Sequence, residues 1–305
     1  MNISSSTPPA VSSPGKLRQI MQRYPLVCYF LMAYSFSWLA WLPYVLSKSG
    51  LGLLPINLNQ FASLPGAYLG PLLSGLLMAA ATEGKPGVGR LLRRFVLWRV
   101  GWLWYPLILC GVPIIIVAGS LTQPGAEAAI HPVVPQIIWV FPLLLIMEIL
   151  TSGLAEEPGW RGFALPRLQQ QLGPLLGSVI LGILWQCWHL PLYLTDWGGG
   201  AGWLQICEAI IGNIGLTIVI TWVFNHTRGS LLIAILLHAT LDAFGVTAAT
   251  SLFSLQWMQQ HGDMGLLVGF GAVALVLVVA TRGRLGYQRT SSPPDAVSAF
   301  NDGKS

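Results

Sequence analysis

Charge is what this 305-residue chain has least of: Asp, Glu, Lys and Arg make up 9% of it, against an apolar share of 54%. A water-soluble domain is about one-quarter charged, so this composition excludes one. Most of the chain must face lipid. The roughly 20 mostly apolar residues that a transmembrane helix needs recur many times along it. Cysteine is scarce as well. Cys28, Cys110, Cys187 and Cys207 sit inside apolar runs without CxxC spacing, which reads as packing rather than as disulfides or a thiolate metal site. No HExxH helix occurs, so the signature of soluble metalloproteases is missing. No small-residue cleavage site follows the first apolar run, and a removable signal peptide is not expected. The tail carries no lipidation or retention motif, and no internal repeat is visible.

What is present is a series of apolar runs punctuated by polar or Gly/Pro residues. Eight spans are expected: Pro25–Leu46, Gln60–Thr82, Trp102–Ser120, Val134–Ser152, Pro174–Leu194, Trp203–Phe224, Gly229–Ala249 and Met264–Thr281. The fold class is therefore all-α, a polytopic transmembrane helical bundle. Its transmembrane domain occupies residues 25–282, with a motif core at 134–245. Ser/Pro-rich composition predicts disordered cytoplasmic segments at 1–24 and 283–305. With both termini inside, every Lys and Arg except Lys48 falls on the cytoplasmic side, the pattern of membrane proteins. That asymmetry accounts for the formal charge of +5, so the lipid bilayer is the expected partner and no nucleic acid is needed. The run GKPGVGRLLRRFVLWRVGW reads as a positive-inside loop, with an amphipathic interfacial helix as the alternative. The compact loops point to a prokaryotic cell (inner) membrane.

Against this background, ionisable residues inside spans stand out, because each costs about 2.5–3.5 kcal/mol on insertion scales and is paired or functional. The candidates are Glu148, Glu156, Glu157, Arg161, His189, Glu208, His238 and Asp242. Glu127, His131, Asp196, His261 and Asp263 read as solvated residues of outer loops. His238 and Asp242, four apart, share a helix face; the plain reading is a hydrogen bond between them that joins helices, just as a lone His189 reads as packing. Gly173-Pro174 changes the balance, since Gly suits a helix end and Pro a first turn. A hairpin turning there puts Glu156 and His189 at matching depth, each about 24–26 Å from the turn at 1.5 Å per residue. Pro158 and Pro166 are expected to kink the descending helix.

Within AEEPGWRG, Glu157 and Arg161 are spaced to form an ion pair, which leaves Glu156 to point elsewhere. Glu156, His189, His238 and Asp242 then make a convergent polar cluster. A buried carboxylate with imidazoles beside it suits the activation of water. Two His and a carboxylate would alternatively bind a divalent ion such as zinc. Glu148 borders the same face or pairs with a buried hydroxyl or amide, and Glu208 sits at the outer interface.

Three motifs in order, EEPGWR (Glu156, Glu157, Arg161), WQCWH (Trp185, His189) and HATLD (His238, Asp242), resemble those of the CPBP intramembrane proteases, the Abi or type II CAAX prenyl protease family. That family carries EExxxR, FxxxH and HxxxN/D on separate transmembrane helices. The resemblance covers roughly Val134–Gly245. It implies a catalytic set of Glu156 as the water-activating base, His189 as its partner, and His238 and Asp242 on the oxyanion or metal side. Glu157, Arg161 and Trp185 would be structural. If a metal is used, Glu156, His189 and His238 would be its ligands. Trp185 stands where Phe is usual, an exchange read as harmless. Asp242 stands where eukaryotic members have Asn; a carboxylate donates a hydrogen bond only when protonated, which favours a ligand or His-orienting role. The implied activity is an intramembrane endopeptidase acting on a membrane-tethered protein or peptide, of metallo or glutamate type. Two other readings use the same residues: a non-catalytic bacteriocin-immunity or scaffold protein, and an ion-coupled transporter.

Overall fold

The computed structural model describes residues 15–288 except 133, 134 and 136. Their helical stretches are α1 (Lys16–Arg23), α2 (Pro25–Leu46), α3 (Gln60–Val96), α4 (Trp104–Leu121), α5 (Ile137–Leu172), α6 (Pro174–Leu194), α7 (Trp203–His226), α8 (Leu231–Thr247) and α9 (Leu255–Thr281). The protein is a polytopic helical bundle. Seven of these helices, α2 to α7 and α9, are long and apolar enough to cross a membrane. The eighth expected span is α8, whose 17 residues run directly into a π turn at Ala248–Leu252, so that the helical stretch as a whole reaches spanning length. Arg228 and Gly229 both take positive φ, and Ser230 caps Ile233, so α8 starts only at Leu231. Helix α7 packs against α6 and α9, α9 against α4, and α8 against α4 and the first part of α5.

Several boundaries differ from those expected. Lys16–Arg23 is helical rather than disordered: Arg18 Nε and Gln22 Nε2 both donate to the Ala81 carbonyl, at 3.0 and 3.3 Å, and hold it on α3. At the other end Leu285 is buried and its carbonyl accepts from Asn225 Nδ2 at 2.9 Å, so the disorder expected from residue 283 does not apply to 283–288. The remainder of both segments lies outside the described residues, as does the Val134 boundary. The basic run after residue 84 is helical as far as Val96, beyond a kink at Gly84. Helix α9 begins nine residues before Met264, because Ser254 caps it through the Trp257 amide.

The α5–α6 hairpin forms as its sequence predicts. Helix α5 ends at Leu172, Gly173 takes φ 81°, and α6 starts at Pro174. The kink expected at Pro158 takes the form of a wide turn, Pro158–Ala164, with i→i+5 spacing, and a second such turn occupies Ile149–Gly153. Proline lacks the N–H that the regular ladder needs, and a local π turn accommodates the loss. Pro71 sits in a similar turn of α3, Tyr68–Leu72. These two irregular stretches meet. The Tyr68 hydroxyl donates to the Leu150 carbonyl, and a methyl group at Gly159 would run into the Pro71 carbonyl and the Tyr29 hydroxyl. Gly159→Ala must therefore move a backbone carbonyl, an overpacking cost of about 1–3 kcal/mol. A methyl at Gly271 meets nothing within 4 Å, so Gly271→Ala leaves stability unchanged; thermal unfolding in detergent micelles compares the two.

Candidate active site

Glu156 and Glu157 lie on the single regular turn Leu154–Glu157 between the two π turns of α5. Successive residues of a helix diverge by about 100°, and the two carboxylates accordingly meet different partners. Glu157 Oε1 accepts from Arg161 at 2.8 Å, and neither side chain is exposed. The same oxygen lies 2.9 Å from His238 Nδ1, a link from α5 to α8 that sequence spacing did not reveal. The other ring nitrogen of His238 is 3.3 Å from Asp242 Oδ2. His238 is thus clamped between two carboxylates. His238 and Asp242 meet on one helix face, as their spacing of four residues predicts.

Glu156 goes to a pair of indoles. Its Oε2 accepts from Trp185 Nε1 at 2.6 Å and from Trp160 Nε1 at 3.4 Å. Among the described residues Oε1 takes no protein hydrogen bond. The Trp185 ring has two further contacts. It lies under the Arg161 guanidinium, 4.0 Å from the ring centroid, and meets the His238 ring edge-on at 5.1 Å. A phenyl ring in this position would supply the faces but not the N–H. The exchange of Phe for Trp therefore adds a bond to the very carboxylate assigned as the base. Helix α6 is held in place by bonds from α2: Tyr34 Oη donates to the Leu184 carbonyl at 2.5 Å, and Trp38 Nε1 to the Trp188 carbonyl at 2.9 Å.

Glu156, His189, His238 and Asp242 all line one cavity of about 750 Å³. The side chain of His189 sits where α6 tightens before Pro191. Its ring stacks on Trp197 at 5.3 Å, and its Nδ1 has no hydrogen-bond partner. Glu148 is on the same wall, bordering the cavity as its helix face suggested; the hydroxyl it accepts from, at 3.0 Å, belongs to the half-buried Thr151 of its own helix and not to a buried group elsewhere. Glu208 is not among the lining residues. Asp263, read as a loop residue, belongs to α9 and lines the cavity; the early start of that helix carries it there. Gln186 and Asn213 also line it. A search confined to ionisable groups passes over these amides, although a polar side chain inside an apolar run was the available signal.

For a metal the arrangement is a poor match. Among the described residues no group of three His, Cys, Asp or Glu side chains is placed to hold an ion. Both His238 nitrogens face carboxylate oxygens and Glu156 Oε2 faces indoles, so Glu156, His189 and His238 do not present a zinc-ligand set as they stand.

A family model described as type II CAAX prenyl endopeptidase Rce1-like matches residues 138–244. A curated relative, CAAX prenyl protease 2 of Methanococcus maripaludis, is 24% identical over 243 residues, covering 72% of this chain and 83% of its own. The stretch matched by the family model, residues 138–244, takes in all three motifs. Within it, the two glutamates predict different losses on substitution. Glu157→Ala strands a buried guanidinium, a loss of about 3–5 kcal/mol. Trp185→Phe keeps the ring over Arg161 but leaves Glu156 short of a donor, a loss of about 1–3 kcal/mol. Unfolding of the two variants in detergent should rank them in that order.

Proposed function

We propose that this chain is an intramembrane endopeptidase that hydrolyses a peptide bond of a membrane-tethered protein or peptide, with Glu156 as the water-activating base. The observation that carries the reading is the convergence of Glu156, His189, His238 and Asp242 on one cavity inside an apolar bundle. Similarity to a protein named CAAX prenyl protease 2 supports the same reaction class. Water attacks the carbonyl carbon as Glu156 takes one of its protons. The tetrahedral intermediate then collapses, the C–N bond breaks, and Glu156 passes that proton to the leaving nitrogen. His189, whose side chain lines the cavity, is the group available to bind the water or the developing oxyanion. His238 is a positioning residue, fixed by Glu157 and Asp242. Both termini lie on the cytoplasmic side in this reading, following the Lys/Arg asymmetry.

Purified protein in proteoliposomes should cleave a membrane-tethered peptide. Glu156→Gln and His189→Ala should each lower the rate by about 10²–10⁴-fold, the range of general acid–base contributions. Undiminished cleavage by both variants sinks the assignment. Stoichiometric zinc by elemental analysis, with activity lost on chelation, would put the attacking water on a metal instead. A cellular phenotype that survives Glu156→Gln favours the non-catalytic reading.

A further inference from the structure

The cavity is one-sided in charge. Glu148, Glu156, Asp242 and Asp263 line it; His238, also on the wall, is shared between Glu157 and Asp242, and among the described residues no Lys or Arg lines the cavity. The nearby Arg161 is already neutralised by Glu157, with no exposed surface on either side chain. Glu208 adds a further carboxylate within electrostatic range of Asp263. The wall also carries aromatic faces from Trp185, Trp188, Tyr193 and Trp197, and such faces attract cations. Two polar atoms of wall residues, Trp188 Nε1 and His189 Nδ1, are buried without a hydrogen-bond partner among the described residues.

We propose that the cavity selects a basic peptide segment, one that carries Lys or Arg close to the bond to be cleaved. The inference rests on the endopeptidase reading and names its substrate class. In a low-dielectric site an unbalanced set of carboxylates attracts a cation strongly and repels an anion by a similar amount. Asp263 and Glu148 stand on the wall apart from the motif residues, where a substrate cation would meet them. An acidic residue in the same position would join Glu148, Glu156 and Asp263, since His238 is already committed to Glu157 and Asp242.

The test uses full-length protein in zwitterionic nanodiscs, which removes attraction by the lipid surface. Fluorescent membrane-tethered peptides, identical except for one Lys, Gln or Glu within the embedded segment, are titrated, and their cleavage is followed in the same samples. The Lys peptide should bind about tenfold more tightly than the Glu peptide, with Gln between them. Asp263→Asn combined with Glu148→Gln should reduce the spread to within about threefold. Exchange of the exposed Glu127 for Gln should leave it intact. Equal affinity of wild type for the three peptides, or a preference for Glu, overturns the proposal without needing any variant to fold. Cleavage without charge preference overturns it and leaves the endopeptidase reading standing. Charge preference without cleavage upholds basic-peptide selection and overturns proteolysis.

Discussion

A guanidinium with no exposed surface sits in the middle of the bundle, and much of the site's geometry follows from accommodating it. Removing an ion from water costs several kcal/mol even after relaxation, so Arg161 is tolerable only where a carboxylate meets it. Glu157, one turn away, supplies that carboxylate. The pair is incompletely satisfied: among the described residues, Glu157 Oε2 and Arg161 Nε and Nη2 have no hydrogen-bond partner. The Trp185 ring lies against the guanidinium, and His238 shares Glu157 Oε1. One ion pair therefore ties α5 to α6 through an indole and to α8 through an imidazole. Such a network in a low-dielectric interior is rigid because every alternative leaves a charge exposed to hydrocarbon.

The same network explains why adjacent glutamates have different surroundings. Wide turns on either side of Leu154–Glu157 interrupt the regular helix, and prolines at 71 and 158 fall within the irregular stretches that meet there. Irregular turns of this type recur at functional sites in helical proteins. Here they allow α5 to pass close to α3 at Gly159 while aiming Glu157 at Arg161 and Glu156 at the two tryptophans. Helix irregularity and site chemistry share one stretch of sequence.

Much of this was legible in the residues. Gly173-Pro174 marked the hairpin, Glu157 and Arg161 were spaced as partners, and the deficit of charge placed the chain in lipid. The order of the three motifs identified the core. Other features depend on rotations and starts that spacing alone does not encode. Helical periodicity cannot say that His238 meets Glu157 rather than Glu156, because the neighbouring wide turns reset the phase of α5. Asp263 looked like a loop residue because QWMQQHGD is polar, yet a serine cap lets the helix begin before it. Trp185 was legible as an aromatic but not as a donor, since its N–H acquires a purpose only when α6 stands beside α5.

Helix α8, which carries His238 and Asp242, runs on from its 17 regular residues into the five of a π turn, Ala248–Leu252. At about 1.5 Å per residue the whole stretch matches the hydrocarbon core of an ordinary bilayer, about 30 Å thick. A matched helix gives the membrane no cause to thin around it. Water bound for His238 and Asp242 therefore has to pass through the cavity that both residues line, not along the lipid face of α8.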